Sequence, residues 1–115
     1  MPDLAVDPQS RGARARLALT YHAVSSADCT EASCLLEVYL VTSTSAGTRW
    51  TKPRRLNPAR MRLTWLAETA SGRMVGDYVS TTFAGKRVVS VHTQARAPQG
   101  GRFNEAVYAF SLTLP

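Results

Sequence analysis

Long apolar runs, lysine and cysteine are all scarce in this 115-residue sequence. No run approaches the ~20 apolar residues that a membrane-spanning helix needs, because the stretch 35–41 is interrupted by Glu37 and the stretch 88–91 is short. The first residues include Asp3 and Asp7 and do not show the basic and apolar regions of a signal peptide. These features exclude a helical membrane protein and leave a globular domain of ordinary hydrophobic content, 44%.

The positive charge comes almost entirely from arginine, since Lys52 and Lys86 are the only lysines in a chain of net charge +6. A basic balance can indicate nucleic acid or an anionic surface as a partner. Here the arginines are scattered along the chain and do not alternate with aromatic residues. We therefore expect a solvated basic surface, no membrane partner and no nucleic-acid partner. Affinity for nucleic acid that falls steeply with salt would contradict this expectation.

The two cysteines, Cys29 and Cys34, lie in one polar stretch with four residues between them. No histidine or further cysteine lies nearby to complete the four ligands of a zinc site. The spacing suits a small disulfide-closed loop between two strands, with two free thiols as the alternative. A disulfide indicates an oxidising compartment, so we expect a secreted protein whose export signal is not in this chain.

Alternation of apolar and polar residues with a period of two dominates the sequence, and helical periodicity is absent. The pattern predicts seven strands, at residues 4–7, 16–24, 35–43, 50–56, 77–83, 87–93 and 105–113. Gly85 predicts a tight hairpin turn, and residues 98–101 predict a longer loop. The predicted fold class is therefore all-β, with antiparallel strands in meander order.

The predicted strands fall into two units joined by a connection. Residues 1–56 form a unit of four strands, residues 57–75 form the connection, and residues 76–115 form a unit of three strands. Four-stranded units in series predict the blades of a β-propeller. The second unit would then be a blade without its outer strand. Its open edge and unpaired faces favour association with further blades or with copies of the chain.

Residues 43–50 read Ser-Thr-Ser-Ala-Gly-Thr-Arg-Trp, and this segment resembles the Asp-box turn of six-bladed sialidase-type β-propellers, Ser-x-Asp-x-Gly-x-x-Trp. Ser43, Gly47 and Trp50 match the pattern at its spacings, whereas Ser45 stands where the family has aspartate. The segment lies between the third and fourth predicted strands, as it does in the family. Glycine can adopt the turn conformation that side chains disfavour, and tryptophan can pack between sheets. The resemblance gives Ser43, Gly47 and Trp50 a structural role.

The second unit carries two further similarities. Residues 72–80, Gly-Arg-Met-Val-Gly-Asp-Tyr-Val-Ser, look like the segment that opens an inner strand in bacterial sialidase-like (Asp-box repeat) proteins. Residues 101–108 are similar to the last blade of the same group. The resemblance implies the C-terminal two blades of a secreted propeller with a binding site at the channel mouth. Its partners would be the remaining blades or further copies of the chain, and carbohydrate.

In true sialidases a tyrosine nucleophile paired with a glutamate cleaves the glycoside, an aspartate is the general acid, and arginines bind the substrate carboxylate. By this resemblance Tyr78 and Asp77 are the candidate catalytic residues and Arg73 the candidate substrate-binding residue. The remaining arginines and the glutamate cannot be assigned within the chain, so we expect the chain alone to be inactive. The alternative is that Asp77 and Tyr78 form a hydrogen-bonded structural pair that starts the strand.

Two functions follow as expectations. The first is glycan hydrolysis of the exo-sialidase type, or glycan binding, by a complete propeller. The alternative is a non-catalytic propeller scaffold that binds protein or carbohydrate. No phosphate loop or dinucleotide motif is present, so we expect no cofactor.

His22 and His92 occupy equivalent positions on the second predicted strand of each unit. Packed sheets lie ~10 Å apart, which is too far for two histidines to share one metal ion at bond lengths near ~2 Å. We therefore expect these histidines between the sheets or on a polar face, and no metal site.

Overall fold

A computed structural model describes all residues, 1–115, and shows an all-β chain with ten strands, two short 3-10 turns and no α-helix. The first sheet is an antiparallel meander of four strands in sequence order, with a fifth strand that pairs with the beginning of the third. Its strands are β1 (Asp3–Val6), β2 (Leu17–Val24), β3 (Leu35–Ser43), β4 (Arg54–Arg55) and β5 (Met61–Arg62). The predicted all-β, antiparallel class is confirmed.

A separate hairpin and a second sheet complete the chain. The hairpin consists of β6 (Ala67–Thr69) and β7 (Gly72–Met74). The second sheet is an antiparallel meander of β8 (Ser80–Ala84), β9 (Arg87–Gln99) and β10 (Arg102–Thr113), with β9 in the middle. No helix in the structure has the length and apolar character needed to cross a membrane.

The two sheets pack face to face around one core. Alternation along the strands points one face of each sheet inward, and the buried apolar residues that meet there include Ala18, Val38 and Leu40 from the first sheet and Val88 from the second. β1 runs next to β8, and the Asp3 carboxylate accepts a hydrogen bond from the backbone N–H of Thr81. The first strands of the two sheets are therefore neighbours.

A line of three hydrogen-bonded hydroxyl groups crosses this core. The Thr81 hydroxyl donates to Oγ1 of Thr20 at 2.8 Å, and the Thr20 hydroxyl donates to Oγ of Ser90 at 3.0 Å. All three residues are buried, and buried hydroxyls are stable only when they are hydrogen-bonded. The line fixes the first sheet relative to the second.

The connection between the sheets closes one end of the core. Met61 is fully buried, and its sulfur lies 3.0 Å from the backbone nitrogen of Ala95. A 3-10 turn at Leu63–Trp65 follows, and the backbone N–H of Ala67 then donates to the Glu105 carboxylate at 3.1 Å. Residues 57–75 are therefore more ordered than a bare loop, since they contain β5, β6 and β7.

Three predicted boundaries are wrong. The fourth strand, predicted at 50–56, is regular only at Arg54–Arg55, because Pro53 has no N–H to donate. The strand predicted from residue 77 begins at Ser80. The predicted loop 98–101 is only a turn at Gly100–Gly101, because β9 and β10 continue almost to the hairpin tip. Pro98 is tolerated there because it lies at a register shift, where ladder hydrogen bonding is interrupted.

Candidate functional site

The strand directions sort the loops into two ends of the molecule. We call one the turn end, which holds residues 43–50 between β3 and β4 and the β8–β9 hairpin at Gly85. We call the other the cleft end, which holds the β2–β3 loop with the two cysteines, the segment 63–79 and the β9–β10 hairpin. The residues predicted to be structural lie at the turn end, and those predicted to be functional lie at the cleft end.

The turn at residues 43–50 is held by serine hydroxyls. Oγ of Ser43 accepts hydrogen bonds from the backbone N–H groups of Ser45 at 3.2 Å and Gly47 at 3.0 Å. Oγ of Ser45 accepts from the N–H of Arg49 at 3.0 Å. Ser45 stands at the aspartate position of the resemblance, and a hydroxyl supplies a backbone acceptor there.

Gly47 occupies the crowded, left-handed position of this turn. Its φ is 85°, and an added Cβ would lie 3.4 Å from Cδ1 of Leu17 and 3.7 Å from the Trp50 ring. The preceding residue, Ala46, is the only non-glycine residue with positive φ, at 53°. Trp50 thus packs on its own turn and is 41% exposed, and it is not enclosed between the two sheets.

At the cleft end the predicted disulfide is confirmed. Cys29 and Cys34 are bonded, with their Cα atoms 5.0 Å apart. The bond closes a loop stabilised by local contacts, such as the 2.8 Å bond from the N–H of Cys34 to the carbonyl of Thr30. A disulfide is consistent with an oxidising compartment.

The guanidinium of Arg73 already contacts two carboxylates and a backbone carbonyl of the protein. Its Nε donates to the Glu31 carboxylate at 2.8 Å, its Nη1 donates to the carbonyl of Leu66 at 3.2 Å, and its Nη2 lies 3.7 Å from Glu68. Glu31 belongs to the disulfide loop, and Glu68 is the cross-strand partner of Arg73 in the β6–β7 hairpin, so Arg73 joins this hairpin to the disulfide loop. A ligand carboxylate would have to compete with two protein carboxylates for this guanidinium.

Two clefts flank residues 76–77. The His22 cleft, of about 280 Å³, is lined by nine residues, Met1, His22, Leu36, Arg73, Met74, Val75, Gly76, Asp77 and Val79. The Tyr78 cleft, of about 260 Å³, is lined by eight, Gly76, Asp77, Tyr78, Ser80, Val91, His92, Thr93 and Val107. Asp77 borders both clefts, whereas Arg73 and Tyr78 line different ones. The structure therefore does not bring the three candidate site residues into one cleft.

Asp77 and Tyr78 lie in the segment between β7 and β8, ahead of the strand. Tyr78 is 87% exposed, and neither side chain makes a hydrogen bond. Gly76 brings the segment close to the second sheet, where an added Cβ would lie 3.1 Å from Oγ1 of Thr93. The hydrogen-bonded structural pair that the sequence also allowed is not formed.

The two histidines lie in the region where the sheets meet. His92 is buried, with Nδ1 at 3.4 Å from Oγ of Ser90 and Nε2 at 2.9 Å from Nε2 of Gln94. Burial lowers the pKa of His92, and the charge of His22 lowers it further. Burial and the nearby chain amino group also lower the pKa of His22, although a hydrogen bond to the Met1 backbone opposes them. Both imidazoles are therefore neutral at pH 7.

His22 has one ring atom without a partner. Its Nε2 is shielded from solvent and makes no hydrogen bond, and its side chain lines the His22 cleft. No group of three or more His, Cys, Asp or Glu side chains is placed to hold a metal ion. No sequence pattern signals this unpartnered atom, because it depends on the register of β2 and on the path of the connection.

Many of the scattered arginines are paired within the fold. Arg16 forms an ion pair with the buried Asp7, and Arg55 and Arg60 both contact the buried Glu37 at 3.3 and 2.9 Å. Arg54 and Arg96 lie over the rings of Phe110 and Tyr108, at 5.0 and 5.7 Å from the ring centroids. This dispersed pairing differs from the clustered basic face of a nucleic-acid interface.

Comparisons of the chain with protein-family models, with curated proteins and with solved structures each found no match.

Proposed function

We propose that the chain forms two neighbouring blades of a sialidase-type β-propeller from a secreted protein. Two meanders packed face to face, with β1 beside β8, support this architecture. In a propeller the first strands of successive blades are the inner strands, and they adjoin one another around the channel. The turn at residues 43–50 joins the third and fourth strands of the first sheet, and its serine and glycine contacts suit an Asp-box with serine in place of aspartate.

Within this architecture the chain acts as a non-catalytic binding module, and its ligand is a carbohydrate that enters the His22 cleft. The single observation that carries this function is the shielded Nε2 of His22, which has no hydrogen-bond partner. A buried polar atom without a partner costs about 1–3 kcal/mol. Because Nε2 is shielded from solvent, a ligand hydroxyl that hydrogen-bonds to it and removes this cost reaches it only when the wall of the cleft moves, so binding requires a local opening at the cleft end.

The other walls of the cleft suit a sugar. Leu36, Met74 and Val79 offer apolar surface, and the Asp77 carboxylate offers a hydrogen-bond acceptor at the edge. A sugar ring presents both C–H surface and hydroxyl donors, and binding clefts commonly combine apolar walls with a few placed polar groups. The disulfide loop borders this end of the molecule through the contact of Glu31 with Arg73.

Hydrolysis of a sialoside is the second candidate, and the position of Asp77 between the two clefts favours it. In that reaction Tyr78 would be the nucleophile and Asp77 the general acid. However, the guanidinium of Arg73 already binds Glu31 and Glu68, and Arg73 and Tyr78 line different clefts. Binding without turnover therefore fits the geometry better.

The test combines binding and turnover on the same samples. Saturation-transfer NMR with sialyllactose and with lactose should detect contact with the wild-type chain, and His22→Phe should remove it while keeping a ring of similar size. Tyr78→Phe is the matched control and should bind as the wild type does, because Tyr78 lines the other cleft. Release of fluorophore from a fluorogenic sialoside that is abolished by Tyr78→Phe would overturn the non-catalytic function. Saturation transfer that survives His22→Phe would overturn the cleft assignment.

A further inference from the structure

The first sheet has an apolar outward face that is exposed toward β1 and partly covered elsewhere, since Val41 is only 8% exposed. Residues that pair directly across β1, β2 and β3 share one face, and the face that points away from the second sheet carries Leu4, Val6, Leu17, Leu19, Tyr21, Tyr39 and Val41. We call these residues the first outer face. Leu4 and Val6 are 54% and 56% exposed, and the rings of Tyr21 and Tyr39 stack at 5.8 Å.

The second sheet has an outward face of similar character, which the segment 76–78 covers only near Thr93. The register of β8, β9 and β10 places Ser80, Thr82, Val89, Val91, Thr93, Val107, Ala109 and Ser111 on the side away from the first sheet. We call these residues the second outer face. Val107 is 69% exposed, and the face contains only apolar and hydroxyl side chains.

The chain exposes more surface than a compact monomer of its size, in keeping with its elongated extents of 49 × 28 × 25 Å. The chain exposes 7239 Å², whereas a compact monomer of 12.5 kDa exposes about 6,200 Å². The excess is roughly 1,000 Å², comparable to the ~800 Å² that each partner buries in a stable interface. The radius of gyration, 15.6 Å, likewise exceeds the ~13 Å of a compact domain of this length.

The distribution of charge indicates what the partner is. The chain carries a net charge of +6, so two copies repel each other over most of their surface. Between its margins neither outer face carries a charged side chain, although the register places Arg87 next to Val89 at one end of the second outer face and Glu105 next to Val107 at the other. At the margin of the first outer face, Arg55 is neutralised by the ion pair with Glu37. The two outer faces are therefore where copies can meet with the least repulsion.

We propose that copies of this chain assemble head to tail, with the first outer face of one copy packed on the second outer face of the next. The two faces lie on opposite sides of the same two-sheet stack, so each contact repeats the packing that already joins the sheets within one chain. Such a heterologous contact produces a ring or a filament. The assembly does not depend on ligand binding at the His22 cleft, and its failure would leave that function open.

The wild-type chain is tested first, by light scattering coupled to size exclusion at concentrations between about 1 and 100 μM. The expected mass is a multiple of the 12.5 kDa chain that increases or saturates with concentration. Val6→Glu and Val107→Glu each place a charge inside one outer face. Since an unpaired charge is costly when buried, each should weaken assembly by at least about 100-fold and give a single-chain mass. Val24→Glu makes the same change at an exposed residue outside both faces and should assemble as the wild type does.

A mixture of the two variants tests whether the contact between copies is head to tail. Val6→Glu keeps an intact second outer face, and Val107→Glu keeps an intact first outer face. An equimolar mixture of the two should therefore form a heterodimer that grows no further. A far-UV circular dichroism spectrum matching the wild type confirms that each variant is folded. A wild-type chain that is monomeric at 100 μM would overturn the proposal. Self-association by Val107→Glu alone would do so too, since it would show that two first outer faces pair with each other.

Discussion

The turn end and the cleft end are built from similar polar residues but satisfy them in different ways. At the turn end, Ser43 and Ser45 accept hydrogen bonds from backbone groups no more than four residues away. At the cleft end, Arg73 reaches Glu31 across 42 residues of sequence, and Nε2 of His22 has no partner at all. The turn end is held mainly by local contacts, with one distant backbone bond from the N–H of Ala46 to the carbonyl of Ala15 at 3.0 Å, whereas the cleft end depends more on distant contacts.

Because of this difference, we expect the turn end to contribute to stability and the cleft end to ligand binding. Local side chain to backbone bonds fix a turn with little help from the rest of the fold, so the turn at residues 43–50 depends on distant elements mainly through the Ala46–Ala15 backbone bond. A cleft whose walls come from several elements can open or change when any one of them moves. We therefore expect mutations at the turn end to act on unfolding, and perturbations at the cleft end to act on local motion and ligand binding.

The largest expected effect is at the turn end. Ser43→Ala removes the acceptor of two backbone N–H groups in a buried position, and it should lower the free energy of unfolding by about 2–3 kcal/mol. Urea unfolding followed by tryptophan fluorescence measures the loss. Thr44→Ala, next to it in sequence but exposed, is the control and should change stability by less than about 0.5 kcal/mol. Equal losses in the two variants would show that the serine contacts do not hold the turn.

Reduction of the disulfide is the matching test at the cleft end. Opening a loop this short should cost about 2 kcal/mol, through the added freedom of the unfolded chain. Hydrogen exchange should also become faster in residues 25–34 and, because Arg73 binds Glu31, in residues 66–76. Residues 43–50 should keep their protection. A Cys29→Ala/Cys34→Ala variant should not respond to the reductant, and loss of protection at residues 43–50 would contradict the independence of the two ends.

The sequence predicted the turn end better than the cleft end for a physical reason. Ser43 and Gly47 form a local motif, so their spacing alone carries the information. At the cleft end the disulfide was predicted in the same way, because Cys29 and Cys34 are close in sequence. β2 and β3 were predicted because their residues alternate over eight and nine positions. β5 has only two residues, and no periodicity can be read from two residues.

The cleft end was harder to predict because its contacts join residues far apart in the chain. Arg73 was assigned to a substrate, yet it binds Glu31, which lies 42 residues away in the disulfide loop, as well as Glu68 on the paired strand β6. The line from Thr81 through Thr20 to Ser90 depends on how two sheets pack. Alternation predicts which face a residue occupies, but it does not predict which residue of another sheet lies opposite.

Acidification should destabilise the region between the sheets. Because burial lowers the pKa of His22 and His92, the unfolded chain binds protons before the folded chain does as pH falls. The contribution of these histidines to stability is therefore complete above the unfolded pKa, near 6.5, and declines below it. The free energy of unfolding, measured by urea titration, should fall between pH 7 and pH 5, by less than disulfide reduction lowers it.

A histidine variant tests whether the histidines cause this fall in the free energy of unfolding. His22→Gln should flatten this decline, and Glu68→Gln, which alters an exposed carboxylate of the same end, should leave it unchanged. The buried Glu37 contributes only at lower pH. Burial acts to raise its pKa, but hydrogen bonds from Arg55 and Tyr39 and the charge of Arg60 lower it below 4.5 overall. A stability that stays flat from pH 7 to pH 5 in the wild type would show that the histidines are accessible in the folded state.

The smallest expected effect returns to the turn end, at Ala46. This residue adopts a φ of 53°, a left-handed conformation that costs a side chain about 1–2 kcal/mol. Glycine avoids that cost but gives the unfolded chain more freedom, worth about 0.5–1 kcal/mol. Ala46→Gly should therefore raise the free energy of unfolding by about 0.5 kcal/mol, measured as a shift of the urea midpoint at unchanged slope.

Gly47→Ala, the reverse change at φ 85°, should destabilise the protein, and its added Cβ would also approach Cδ1 of Leu17 at 3.4 Å. If both changes shifted stability in the same direction, backbone conformation would not be what holds this turn, and the serine hydroxyls alone would account for its rigidity.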